Sequence, residues 1–192
     1  QEIKLEVNIV SHTKVLPTYH YKTLVVLVPK NKKIMVPNFT VKTNNNFVPI
    51  KGHTLYTDGT LFHGKYYQGI EEVIDCNENR IVFSCKAPNI PSKDQGQFPV
   101  MSVNAFFADI QYQGIVVWAQ KFKNGAKSLP LQTKAVNLYQ DVPFDKTLWV
   151  CIDIVNQNDF KVMANCTVYD ENGKVFMYSE DAAVTVSKEL NW

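Results

Sequence analysis

Glycine and cysteine are scarce in this sequence, and each scarcity excludes a kind of chemistry. The eight glycines form neither a G-x-G-x-x-G fingerprint nor a Walker loop, so phosphate binding on a glycine cradle is not supported. Cys76, Cys85, Cys151 and Cys166 lie far apart, with no C-x-x-C pair and no Cys/His cluster at metal-ligand spacing. Buried, reduced thiols are expected, and no metal ligand is assigned. Excess charge is also missing: 20 Lys and Arg against 18 Asp and Glu leave a net charge of +2, too little to argue for nucleic acid or an acidic membrane as partner. The longest apolar run, Leu24 to Pro29, falls far short of the ~18 residues of a membrane span. Asn38-Phe39-Thr40 and Asn165-Cys166-Thr167 match the glycosylation pattern, but no secretory signal accompanies them, and a cytoplasmic, reducing location is expected.

What is present is an ordinary globular composition, 45% hydrophobic and 20% charged, over 192 residues. That length suits one large or two small domains. Val, Ile, Thr and Tyr runs broken by Pro and Asn predict strands near 3–10, 19–28 and 34–42, with the basic tetrad at 30–33 as a solvated turn. Further strands are predicted near 71–76 and 80–87, then a Pro- and Gly-rich loop over 88–99. One long helix is predicted over about 104–122, opened by Ser102 or Asn104 and closed by Asn124-Gly125. Its apolar residues at 103, 106, 107, 110, 117 and 118 spread over more than one face, which predicts burial on most sides. Strands resume near 133–139, 147–155, 160–169 and 174–187. The second of these alternates with a period of two, and Asn172-Gly173 marks a hairpin between the last two.

The second half therefore reads as a hotdog, an α+β fold in which an antiparallel sheet wraps a long central helix. The expected division is 1–87, a first hotdog-like half and junction that has comparable strands but no second long helix and is either incomplete in its N-terminal part or packed differently, and 88–192, the second hotdog. On the helix, Asp109 and Gln113 stand four apart and share a face. A carboxylate flanked by Phe106, Phe107, Ala108 and Ile110 is costly to bury charged, and its protonated form is what a general acid needs. The same spacing also allows Asp109 to face water or cap a loop.

Leu61-Phe62-His63-Gly64-Lys65-Tyr66-Tyr67-Gln68-Gly69-Ile70 resembles the F-H-G-x-x-F/Y-Q-G-hydrophobic segment of dehydratase domains in polyketide synthases and bacterial polyunsaturated fatty acid synthases. Residues Asn104 to Gln113 resemble their D-x-x-x-Q helix, and Ser128-Leu129-Pro130-Leu131 resembles the small-L-P-L/F element that follows. The resemblance implies a double hotdog that eliminates water from a 3-hydroxyacyl thioester on an acyl carrier protein, giving a trans-2-enoyl thioester. It implies Asp109 as the acid and Gln113 as the residue that orients it, with His63, Tyr67 and Phe106 lining the substrate site. It implies no cofactor beyond the phosphopantetheine arm of the carrier. The carrier and neighbouring synthase domains are the implied partners, and a homodimer or intrachain pseudo-dimer follows by analogy.

The sequence departs from the pattern in one important way. The family takes the α proton with a histidine in an H-x-x-x-G-x-x-x-x-P segment, and none of His12, His20, His53 or His63 lies in one. Because the chain starts at Gln1 and not Met, the piece carrying that histidine is expected upstream. Lys65 and Ala105 stand where the family commonly has proline, which blurs substrate class more than activity. Two other readings remain in play: a non-catalytic hotdog that binds an acyl carrier or bridges modules, and an unrelated all-β binding or adhesion domain. The last requires that 104–122 not be a buried helix.

Overall fold

A computed structural model describes residues 1–13, 16–29, 32, 34–44, 46–97 and 103–190. They divide into two units, Gln1–Met35 and Val36–Trp192. The first unit is an antiparallel ribbon of β1 (Ile3–Ser11) and β2 (Thr18–Leu27). Its register sets Ile3 opposite Leu27, Leu5 opposite Val25, Val7 opposite Thr23 and Ile9 opposite Tyr21, so one face is mainly apolar. The basic tetrad predicted at 30–33 lies largely outside the described residues, as does Ser102.

The second unit is built on β3 (Ile50–Lys51), α1 (Gly52–Thr57), β4 (Ile70–Asn77), β5 (Arg80–Cys85), α2 (Ala105–Phe122), β6 (Pro130–Gln132), β7 (Ala135–Leu138), β8 (Leu148–Gln157), β9 (Lys161–Tyr169) and β10 (Val175–Thr185). The strands form one antiparallel sheet in the order β3-β4-β5-β8-β9-β10-β6, with β7 also pairing β10. The long helix packs across β5, β8, β9 and β10.

Local chemistry explains the helix limits. The Asn104 side chain accepts the Phe107 N–H at 3.1 Å, capping the first turn. At the other end Asn124 and Gly125 both take positive φ, and the Gly125 N–H reaches back to the Gln120 carbonyl at 2.9 Å. Phe107, Ile110, Ile115 and Trp118 are all fully buried. Each contributes roughly 1.5–3 kcal/mol relative to exposure. Gly114 lets the helix approach the sheet: a Cβ there would lie 2.3 Å from Phe83 and 2.6 Å from Ile152. A buried α2 excludes the unrelated all-β reading.

One expectation needs correction. The segment expected as a strand over 34–42 is not one apart from an isolated bridge between Asn38 and Lys174, because Pro37 has no N–H to give a ladder. The segment docks through Val175 N–H to Pro37 O and Phe39 N–H to Gly173 O. Phe39 and Val41 cover the outer face of the sheet there, with the Phe39 and Tyr169 rings 5.0 Å apart. The strand expected at 133–139 is β7; a further short strand, β6, precedes it, and both face β10, which bulges where Asp181 takes φ 50°. β5 pairs directly with β8, so the strands at 70–85 and the long helix share one sheet and one core.

Candidate active site

The site is assembled from α2, α1 and the segment between α1 and β4. One helical turn separates Asp109 from Gln113, and the Gln113 Nε2–H donates to Asp109 Oδ2 at 2.8 Å. The second hydrogen of Nε2 goes to the Tyr67 carbonyl at 2.7 Å, which also accepts the Gly69 N–H at 3.0 Å. On its other side the Gln113 amide oxygen accepts the Tyr56 hydroxyl at 2.7 Å, and that hydroxyl accepts the Ile70 N–H at 2.9 Å. Gln113 is 0% exposed, so each of these bonds replaces hydration that the amide has lost.

Asp109 is less enclosed than the sequence suggests. Its side chain is 29% exposed, because it leaves α2 on the side of the 61–70 segment and not towards the sheet. His63 Nε2 lies 3.3 Å from Asp109 Oδ2. Both that contact and the Gln113 bond fall on Oδ2. The His63 ring stacks on Phe62 with centroids 4.4 Å apart, and the Gln68 side chain donates to the His63 carbonyl at 2.9 Å, closing the turn. His63 Nδ1 is buried without a hydrogen-bond partner among the described residues. Burial lowers the His63 pKa below the ordinary imidazole value, while the Asp109 charge acts in the opposite direction. A ring in that state is neutral near pH 7.

The structure therefore brings Asp109, Gln113 and His63 into one contact set, with Tyr67 present through its backbone. The Tyr67 ring packs against Phe106 at 5.0 Å, and Phe106 lies 6.2 Å from Phe144, giving an aromatic flank. Leu129-Pro130 takes a different place: the Leu129 carbonyl accepts the Thr185 N–H at 2.9 Å, its N–H donates to the Thr185 hydroxyl at 3.4 Å, and the chain leads into the edge strand β6. Tyr56 was not singled out from the sequence. It bonds Gln113 across 57 residues, and no local periodicity signals such a contact. Two surface hollows lie elsewhere. One, of about 380 Å³, is lined by residues including Phe122, Asn124 and Asp159, and the other, of about 470 Å³, by residues including Ile74, Trp149 and Tyr169. Neither is lined by Asp109, Gln113 or His63. Among the described residues no helix is long and apolar enough to cross a membrane, and no group of three or more His, Cys, Asp or Glu could hold a metal ion.

No protein-family profile matches the sequence. One of the proteins that make up the polyunsaturated fatty acid synthase of Thraustochytrium sp. is 26% identical over 151 residues, which cover 74% of this chain and 5% of that protein. Among solved structures, the dehydratase domain of a mycocerosic acid synthase-like polyketide synthase matches with a TM-score of 0.68 and 17% identity, over 96% of this chain and 65% of that one. A trans-AT polyketide synthase dehydratase domain from Brevibacillus brevis matches with a TM-score of 0.71 and 14% identity, over 97% and 66%. The chain thus spans about two thirds of each solved domain and a small fraction of the synthase protein. It has the hotdog fold of polyketide synthase dehydratase domains and shares sequence with a polyunsaturated fatty acid synthase, as the resemblance carried by its motifs implied.

Proposed function

We propose that this chain is a dehydratase-type hotdog acting on a 3-hydroxyacyl thioester carried on the phosphopantetheine arm of an acyl carrier protein. The observation that carries the reading is the Asp109 carboxyl, part-exposed and held at Oδ2 by Gln113 at 2.8 Å with His63 at 3.3 Å. In its protonated form Asp109 gives its proton to the β-hydroxyl as the C–O bond breaks, and water leaves. A base takes the α proton, and the electrons of that C–H bond become the C2–C3 double bond of the enoyl thioester. Atoms and charge balance without a redox partner, so the chemistry asks for no cofactor.

The base is the part this sequence does not supply in the family pattern. His63 does not fill the role: its Nε2 faces Asp109, and its Nδ1 is sealed from solvent. His63 is proposed instead to line the pocket together with Tyr67 and Phe106, whose rings form the apolar flank expected beside an acyl chain. The carrier and adjoining synthase domains are its proposed partners.

The test is turnover of 3-hydroxybutyryl-acyl carrier protein by the domain in its native polypeptide. Asp109→Asn should lower kcat by about 10²-fold or more, the usual worth of a positioned acid. Unchanged turnover in this variant removes Asp109 from the mechanism. Carrier binding without water loss in the native protein identifies the chain as the non-catalytic, carrier-binding hotdog.

A further inference from the structure

The bonds that hold Asp109 do not end at the D-x-x-x-Q motif. Gln113 uses both Nε2 hydrogens, on Asp109 Oδ2 and on the Tyr67 carbonyl. A carbonyl can only accept, so the amide nitrogen must face Tyr67 and the amide oxygen must face Tyr56. The Tyr56 hydroxyl accepts the Ile70 N–H and donates to that oxygen, a relay of 2.9 Å and 2.7 Å that begins on the backbone of the first residue of β4.

We propose that Tyr56 is a positioning residue for Asp109, acting through Gln113: the phenol anchors the amide, and the amide fixes carboxyl oxygen Oδ2. The inference rests on the dehydratase reading and adds to it a residue outside the resembling motifs. Three features support it. Burial pushes the Tyr56 phenol well above its ordinary pKa, so the group stays a donor at any working pH. Ile70 and Gln113 are both buried, so the groups that Tyr56 satisfies have no water to turn to. A donor on the amide oxygen also polarises the amide and strengthens the bond its nitrogen makes to the carboxyl.

The experiment uses Tyr56→Phe, with Asp109→Asn and Tyr112→Phe as references. Tyr112 bonds Thr133 and takes no part in this relay. With 3-hydroxybutyryl-acyl carrier protein, Tyr56→Phe should lower kcat about ten- to a hundredfold, as misplacement of a reacting group does, and leave KM within about twofold. Independently of turnover, the side-chain amide signals of Gln113 in a 15N–1H spectrum should move in Tyr56→Phe and Asp109→Asn but not in Tyr112→Phe. Wild-type kcat or unmoved Gln113 signals in Tyr56→Phe overturn the proposal, as does a loss shared by kcat and KM or matched by Tyr112→Phe. Full turnover by Asp109→Asn sinks the dehydratase reading, while the Gln113 signals still decide the role of Tyr56. Should phenylalanine destabilise the fold, 3-fluorotyrosine at position 56 keeps the shape and alters only donor strength. A graded shift of the Gln113 signals is then expected, and no shift overturns the inference.

Discussion

At the scale of single residues, the neutral His63 ring makes stability depend on pH. Burial holds its pKa below the ordinary value of about 6.5 that applies to the unfolded chain. Between the folded value and about pH 6.5 the unfolded state binds more protons, so stability rises with pH across that window and is lost as pH falls through it. His63→Gln should therefore show a smaller gap between its urea midpoints at pH 7 and pH 5.5 than the native protein. Equal gaps would assign the proton uptake to another group. The sequence made the Asp109 and Gln113 contact legible because i and i+4 meet on any helix. It could not reveal the Asp109 exposure or the Tyr56 bond, since both depend on how the 58–69 segment folds back over α2.

Among the elements, α2 was the most readable. Asn104 and Asn124-Gly125 are local stop signals that work through backbone bonds made within a turn, so they hold whatever the surroundings. Tertiary demands are carried by Gly114 instead, pressed by Phe83 and Ile152. Gly114→Ala is expected to lower unfolding free energy by about 1–3 kcal/mol, despite alanine's better helix propensity, because the methyl overpacks the helix–sheet contact. Denaturant titration of the variant measures this, and a stabilised variant would mean that the sheet yields at β5 or β8. The hairpin at Asn172-Gly173 was legible for the same local reason, with Gly173 at φ 78°. Residues 34–42 misled because β propensity is satisfied as well by a strip packed over a sheet as by a paired strand.

For the whole molecule, the four thiols report on the integrity of the core. Cys76, Cys85, Cys151 and Cys166 are all buried and unbonded to one another. Burial pushes Cys76 up to about 11 and Cys151 up to about 12, and holds Cys85 and Cys166 well above the ordinary thiol value. Native protein at pH 8 should therefore resist iodoacetamide, with alkylation of all four following the unfolding transition by mass spectrometry. Early labelling of any one of them would show that its strand opens on its own. Composition gave a globular chain, and the pattern of one long helix among period-two strands gave the class of fold. Sheet order came only with the structure, since nothing local tells β5 that its neighbour is β8.

That neighbour relation governs the order of assembly. Cys85 and Leu148 sit across from each other in the ladder yet are 63 residues apart in sequence, with α2 in the excursion between them. Closing such an excursion costs roughly 4 kcal/mol of chain entropy before any strand contact rewards it. The β8-β9-β10 meander, whose turns are short, can nucleate early, and β4-β5 must then find it across the gap. Asp109 and Gln113 ride inside that excursion while Tyr56 and His63 precede β4, so the contacts between the two pairs are long-range ones that chain entropy opposes in the same way.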